Sequence, residues 1–96
     1  MSKAYWISTY QKINDSEKLA AYAALAGPAI TAGGGKFIVR GMPARTYEAG
    51  VNERTVVIEF DSVDAAIATH DSSDYATALA ALDGGAIREI RIIEGT

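Results

Sequence analysis

The 96-residue sequence has no cysteine, one histidine and two prolines. Without cysteine there is no disulfide framework, no thiol nucleophile and no thiolate metal site. One histidine excludes a multi-histidine metal centre within the chain and no metal is expected, which leaves carboxylate-bound Mg or Ca as the open alternative. No cofactor is expected. An excess of positive charge is missing as well. Nine Lys and Arg residues face twelve Asp and Glu, for a net charge of -3. The basic residues are scattered, whereas phosphate binding needs them clustered, so nucleic acid is not an expected partner. No run of about 18 apolar residues occurs, and a membrane partner is not expected either. The alanine-rich segment from Leu19 to Ala32 comes closest but is interrupted by Gly27-Pro28. The opening Met1–Thr9 has one basic residue and no apolar stretch before a cleavage site, unlike a secretory signal. A cytoplasmic location is the default expectation.

What is present is ordinary for a globular protein: 49% apolar residues with 22% charged ones, a balance that argues against disorder. The length fits one domain over residues 1–96. Ala4 to Gln11 is rich in β-branched and aromatic residues and predicts a strand. Asn14-Asp15-Ser16-Glu17 has capping-box spacing, with Asn14 as the cap. Leu19, Tyr22, Ala23, Ala26 and Ile30 then form a helical stripe. Pro28 lies inside it and predicts a kink or restart, and Gly33-Gly34-Gly35 stops the helix. Lys36 to Arg40 is a short strand, with Ala44 to Glu48 as a continuation past a bulge. Gly50-Val51-Asn52-Glu53 reads as a hairpin turn, followed by a strand from Arg54 to Phe60. Asp61-Ser62 caps a helix bearing Val63, Ala66, Ile67 and His70. Asp71-Ser72-Ser73-Asp74 interrupts it and caps a short helix with Tyr75, Ala78, Leu79 and Leu82. Ile87 to Glu94 is the last strand.

This α+β order, βαββαβ, is the ferredoxin-like arrangement, an antiparallel sheet with its helices on one face. A sheet with one wet face should alternate apolar and polar residues. Here Tyr5-Trp6-Ile7, Phe37-Ile38-Val39, Val56-Val57-Ile58 and Ile92-Ile93 are apolar on both sides. The helices can hide only one face, so the other calls for an apolar cover. A second copy of the chain is the natural one, giving a homodimer packed sheet to sheet.

Several segments stand in a familiar order: Lys3-Ala4-Tyr5-Trp6-Ile7, Gly34 to Gly41, Arg54 to Phe60, Ser73-Asp74-Tyr75 and Ile93-Glu94-Gly95. Together they resemble, nearly end to end, the domain of unknown function 1330 family of the dimeric α+β barrel superfamily. The resemblance implies a ferredoxin-like protomer and a barrel made by two sheets. It implies no activity, because the family is functionally undefined. More distant relatives of this architecture include cofactor-independent monooxygenases, muconolactone isomerases and stress-responsive dimeric domains, a kinship of fold and not of reaction. Two departures stand out. Thr69-His70 replaces an aromatic pair that family members often carry before Ser-x-x-Tyr. Ala81-Leu82-Asp83-Gly84 stands where they tend to have an arginine, which weakens the case for an anionic ligand.

His70 is the natural acid–base candidate, since its unperturbed pKa lies near neutrality. Asp71 and Asp74 follow it and could orient the ring. The structural reading is a helix-terminal imidazole at the edge of the core, favoured by the helix dipole. Arg40 and Glu59 lie on neighbouring strands among apolar residues, where a charge needs a partner. They could pair with each other, with Arg54 or Glu48, or with a ligand. Trp6, Tyr22 and Tyr75 read as core or as the wall of a ligand pocket. Gly33-Gly34-Gly35 follows a helix rather than opening one and lacks the Lys-Ser/Thr ending, so it is not a phosphate loop.

The leading expectation is therefore a homodimer that binds a small, mostly apolar molecule between sheet and helices, with His70, Arg40, Glu59 and Tyr75 as polar contacts. The alternative is a cofactor-independent enzyme of monooxygenase or isomerase type with His70 as proton carrier. A structural dimer without a site is the third. A cavity beside His70 would favour the first two.

Overall fold

The apolar, β-branched segments become strands and the capped stripes become helices. The computed structural model describes residues 2–96. It runs β1 (Ala4–Ile13), α1 (Ser16–Ala32), β2 (Lys36–Gly41), β3 (Thr55–Phe60), α2 (Val63–His70), α3 (Ser73–Leu82) and β4 (Ala86–Glu94). The strands form one antiparallel sheet in the order β2-β3-β1-β4. This is the ferredoxin-like arrangement, with its second helical unit split in two. The split falls where Ser72 caps α3: its hydroxyl accepts from the Tyr75 N–H at 3.2 Å and donates to the Thr69 carbonyl at 2.7 Å.

Local details depart from the sequence reading for identifiable reasons. Asp15, not Asn14, caps α1, accepting from the N–H groups of Glu17 and Lys18. The Asn14 side chain is engaged elsewhere, donating to the Gly84 carbonyl at 3.2 Å. α1 passes through Pro28 without ending. Proline forfeits a single hydrogen bond there, and Gly27 ahead of it presents no Cβ to the ring. Ala44 to Glu48 does not extend β2. Pro43 has no N–H to continue a ladder, and residues 42–54 form an irregular connection. Its turn lies earlier than expected, with the Gly50 N–H donating to the Tyr47 carbonyl at 2.9 Å. β1 is longer than expected, crossing a bulge after Tyr10 to reach Ile13.

The pleat divides the sheet residues between two faces. Trp6, Ser8 and Tyr10 of β1 and Val56, Ile58 and Phe60 of β3 are buried under the helices. Trp6 is the centre of this layer, stacked with Phe60 at 6.2 Å and edge-on to Tyr75 at 5.0 Å. The opposite face carries Tyr5, Ile7 and Val57, all half-buried. Val39, Ile87 and Ile93 are exposed. In register, Val39, Val57 and Ile7 lie side by side, with polar Thr55 and Thr9 one rung away. No helix covers them. Among the described residues no helix is long and apolar enough to cross a membrane.

Candidate functional site

The cross-strand register gathers polar side chains at one end of the helix-covered face. Tyr10 pairs with Arg88 on β4, and on its other side the Tyr10 N–H donates to the Arg54 carbonyl at 3.0 Å. One rung along, Arg40 pairs with Val56, Val56 with Ser8, and Ser8 with Ile90. α1 lies across these rungs and adds Tyr22, Ala26, Gly27 and Ile30. Between helix and sheet is a cleft of about 50 Å3 whose lining includes Arg40, Arg54 and Arg88 together with Trp6, Ser8, Tyr10 and Phe37. Ala23 and Arg40 are the exposed members of that lining and mark its mouth.

Arg88 is the hub. Its Nη1 donates to the Tyr10 and Tyr22 hydroxyls, each at 3.0 Å, and its Nη2 to the Tyr75 hydroxyl at 3.1 Å. The Tyr22 and Tyr75 oxygens lie 2.8 Å apart. The guanidinium also rests 4.5 Å from the Tyr22 ring centre and 5.4 Å from that of Tyr10, a cation–π arrangement. Burial opposes the charge of Arg88, but the oxygens of Tyr22 and Tyr75 outweigh it and raise its pKa. Burial likewise pushes the Tyr75 hydroxyl well above the usual tyrosine range; Tyr22 adds to the shift and Arg88 works against it. Tyr75 is therefore a neutral hydrogen-bonding group at ordinary pH and not a base.

The sequence-named residues fall in different places. Trp6 and Arg40 line the cleft, and Arg40 lies over the Phe37 ring at 4.9 Å. Tyr75 belongs to the cluster through its hydroxyl. Glu59 points to the other face of the sheet, pairs in register with Lys36 and Tyr5, and accepts from the Tyr5 hydroxyl at 3.3 Å. Arg40 and Glu59 are thus not partners, because the pleat sends them to opposite sides. His70 is outside the cleft lining. Its ring packs 5.4 Å from Trp6 and 5.2 Å from Tyr75. Its Nδ1 is 3.1 Å from Asp71 Oδ1, and its side chain is 38% exposed. A wider hollow of about 430 Å3 beneath the 42–54 connection includes Thr9, Gln11, Arg45 and Glu89 in its lining, but none of these sequence-named candidates.

Sequence reasoning missed Arg88 altogether. The signal was weak: Arg88, Ile90 and Ile92 alternate in step, but Ile87 and Ile93 give the other parity as many isoleucines. Recognising which parity faced the helices needed the pairing of Ile92 with Trp6.

Fold and cleft together define a ferredoxin-like α+β protein with a small polar-ended cleft under its first helix. The chain belongs to the DUF1330 family, whose description is domain of unknown function, matched over residues 3–96. Solved structures of similar fold include a protein of unknown function from Rhodopseudomonas palustris. It has 15% identity and a TM-score of 0.75, with 99% of this chain and 83% of that one covered. A dimeric ferredoxin-like protein of unknown function from Thermobifida fusca has 20% identity and a TM-score of 0.65, covering 98% and 92%. SnoaB, a cofactor-independent oxygenase from Streptomyces nogalater, has 11% identity and a TM-score of 0.68, covering 100% and 95%. No curated protein matches the sequence.

Proposed function

We propose that two copies of this chain pair sheet to sheet and that each holds a small, mostly apolar molecule in the cleft between α1 and the sheet. The cleft carries the reading. Aromatic and aliphatic side chains form most of its wall, and a few polar groups converge at one end, the usual makeup of a small-ligand site. Its free space of about 50 Å3 suits one compact end of a ligand, with the remainder extending past Gly27. Apart from its chain neighbours, a Cβ built at Gly27 would meet nothing within 4 Å, so a larger side chain there costs the fold only its contact with the Pro28 ring while obstructing the cleft. Thermal-shift screening of small aromatic and aliphatic compounds tests the proposal. Ligands are expected to stabilise the native chain and to lose that effect in Gly27→Leu. Stabilisation that survives Gly27→Leu would place the ligand elsewhere.

Pairing is supported by the uncovered apolar strip of Val39, Val57 and Ile7 and by the dimeric Thermobifida fusca relative of the same fold. The enzymatic alternative, with His70 as proton carrier, has less to draw on. The ring is packed against Trp6 and Tyr75 and does not reach the cleft, although Asp71 supplies the orienting carboxylate that such a role needs.

A further inference from the structure

The geometry points to a carboxylate as the polar end of the ligand, gripped by Arg88 and Arg54 with Arg40 at the mouth. This deepens the cleft-binding reading above and rests on it. Three positive side chains line the cleft and no Asp or Glu does. Among the described residues the ion pairs are Lys3–Asp61, Lys18–Asp83, His70–Asp71 and Arg91–Glu89, and none involves these arginines. The imbalance is local, because acidic residues outnumber basic ones in the chain as a whole. Arg54 and Arg88 are half-buried and Arg40 exposed. The one carboxylate beside them, Glu53, accepts from the Arg54 backbone N–H and not from a guanidinium. Half-buried like charges without an ion pair are relieved by an anion.

Hydrogen-bond accounting points the same way. A guanidinium has five N–H groups, and Arg88 uses three of them on tyrosine oxygens. Arg54 Nε and Ser8 Oγ are buried without any partner. Arg54 Nε can only donate, and the Ser8 hydroxyl can donate or accept, so the cluster has donors to spare, and an unmet buried donor is costly. A carboxylate supplies acceptors and charge together. Its plane matches the guanidinium fork, and its size suits the confined end of the cleft.

Matched probes test this: benzoate and the neutral benzamide, titrated into 15N-labelled protein while the arginine Nε–H and backbone signals around the cleft are followed. Benzoate is expected to bind on the order of tenfold to a hundredfold more tightly than benzamide. Arg88 also holds three tyrosines, so Arg54→Met carries the test and Arg40→Met repeats it. Arg54→Met is expected to cut benzoate affinity by about tenfold while leaving benzamide affinity alone. Equal affinity for the two probes, with both lost in Gly27→Leu, would overturn the carboxylate assignment and leave the cleft intact as a binding site. Inorganic phosphate competing as well as benzoate would also overturn it. Cleft signals unmoved by either organic probe would remove the cleft reading and this inference with it.

Discussion

The two faces of the sheet are built from the same four strands and are incomplete in opposite ways. The helix-covered face has its apolar residues buried and a surplus of hydrogen-bond donors around Arg88, Arg54 and Ser8. The other face has few unmet polar groups but leaves Val39, Ile87 and Ile93 about half exposed. A surplus of donors is relieved by a small acceptor, whereas a surplus of apolar area is relieved by another apolar surface. On the proposed reading one sheet takes two different partners, and the alternation of side chains keeps them apart.

Perturbing one face at a time sharpens the contrast. Trp6→Ala removes the centre of the covered layer and is expected to cost about 3–5 kcal/mol of stability, measured by urea unfolding. A loss below about 1 kcal/mol would mean that the layer is held elsewhere. Val57→Asp puts a charge in the middle of the uncovered strip. It is expected to weaken self-association by about 2 kcal/mol or more and to shift the mass seen by light scattering from two chains towards one. A wild-type protein already monomeric at micromolar concentration would break the comparison outright.

Smaller effects probe the polar end. The folded state holds the Tyr75 proton to higher pH than the unfolded chain does. Below the ordinary tyrosine pKa of about 10 both states are protonated and Tyr75 adds no pH dependence. Above it the unfolded state releases the proton first, so stability falls as pH rises, by up to about 1.4 kcal/mol per unit. Urea midpoints between about pH 8 and about pH 11 should show this slope reduced in Tyr75→Phe. An unchanged slope would mean that Tyr75 is no more protected than an exposed tyrosine. Gly27→Ala should leave the stability of the chain within about 0.5 kcal/mol, since the gain from alanine inside a helix is offset by its Cβ against the Pro28 ring. Gly33→Ala should instead destabilise it, because that Cβ would run into the Thr69 side chain. A thermal midpoint that does not fall in Gly33→Ala would contradict the packing there.

Much of the fold was legible because it is local. β-branched and aromatic runs marked the strands, Asp61-Ser62 and Asp71-Ser72-Ser73-Asp74 marked helix starts, and apolar pairs such as Val56-Val57 raised the expectation of cover on both sides of the sheet. The misreadings came from competition between neighbours. Asn14 had the right spacing to cap α1 but was drawn to the Gly84 carbonyl, 70 residues away. Arg40 and Glu59 looked like partners because their strands are adjacent, yet the register places them on opposite faces. The loss of an arginine near Ala81-Leu82-Asp83-Gly84 counted against an anionic ligand, while Arg88, a few residues further on, reaches the cleft from β4.

Residue order alone thus determined the succession of elements and the apolar character of the helix-covered face, since hydrophobic period and capping act over a few neighbouring positions. The uncovered face sets Val39, Val57 and Ile7 among charged and threonine side chains. Only the tertiary structure decided which polar groups meet. Tyr10, Tyr22, Tyr75 and Arg88 come from four different elements, and no short-range rule links them. Strand register and helix placement bring the three hydroxyls within 3.1 Å of the guanidinium.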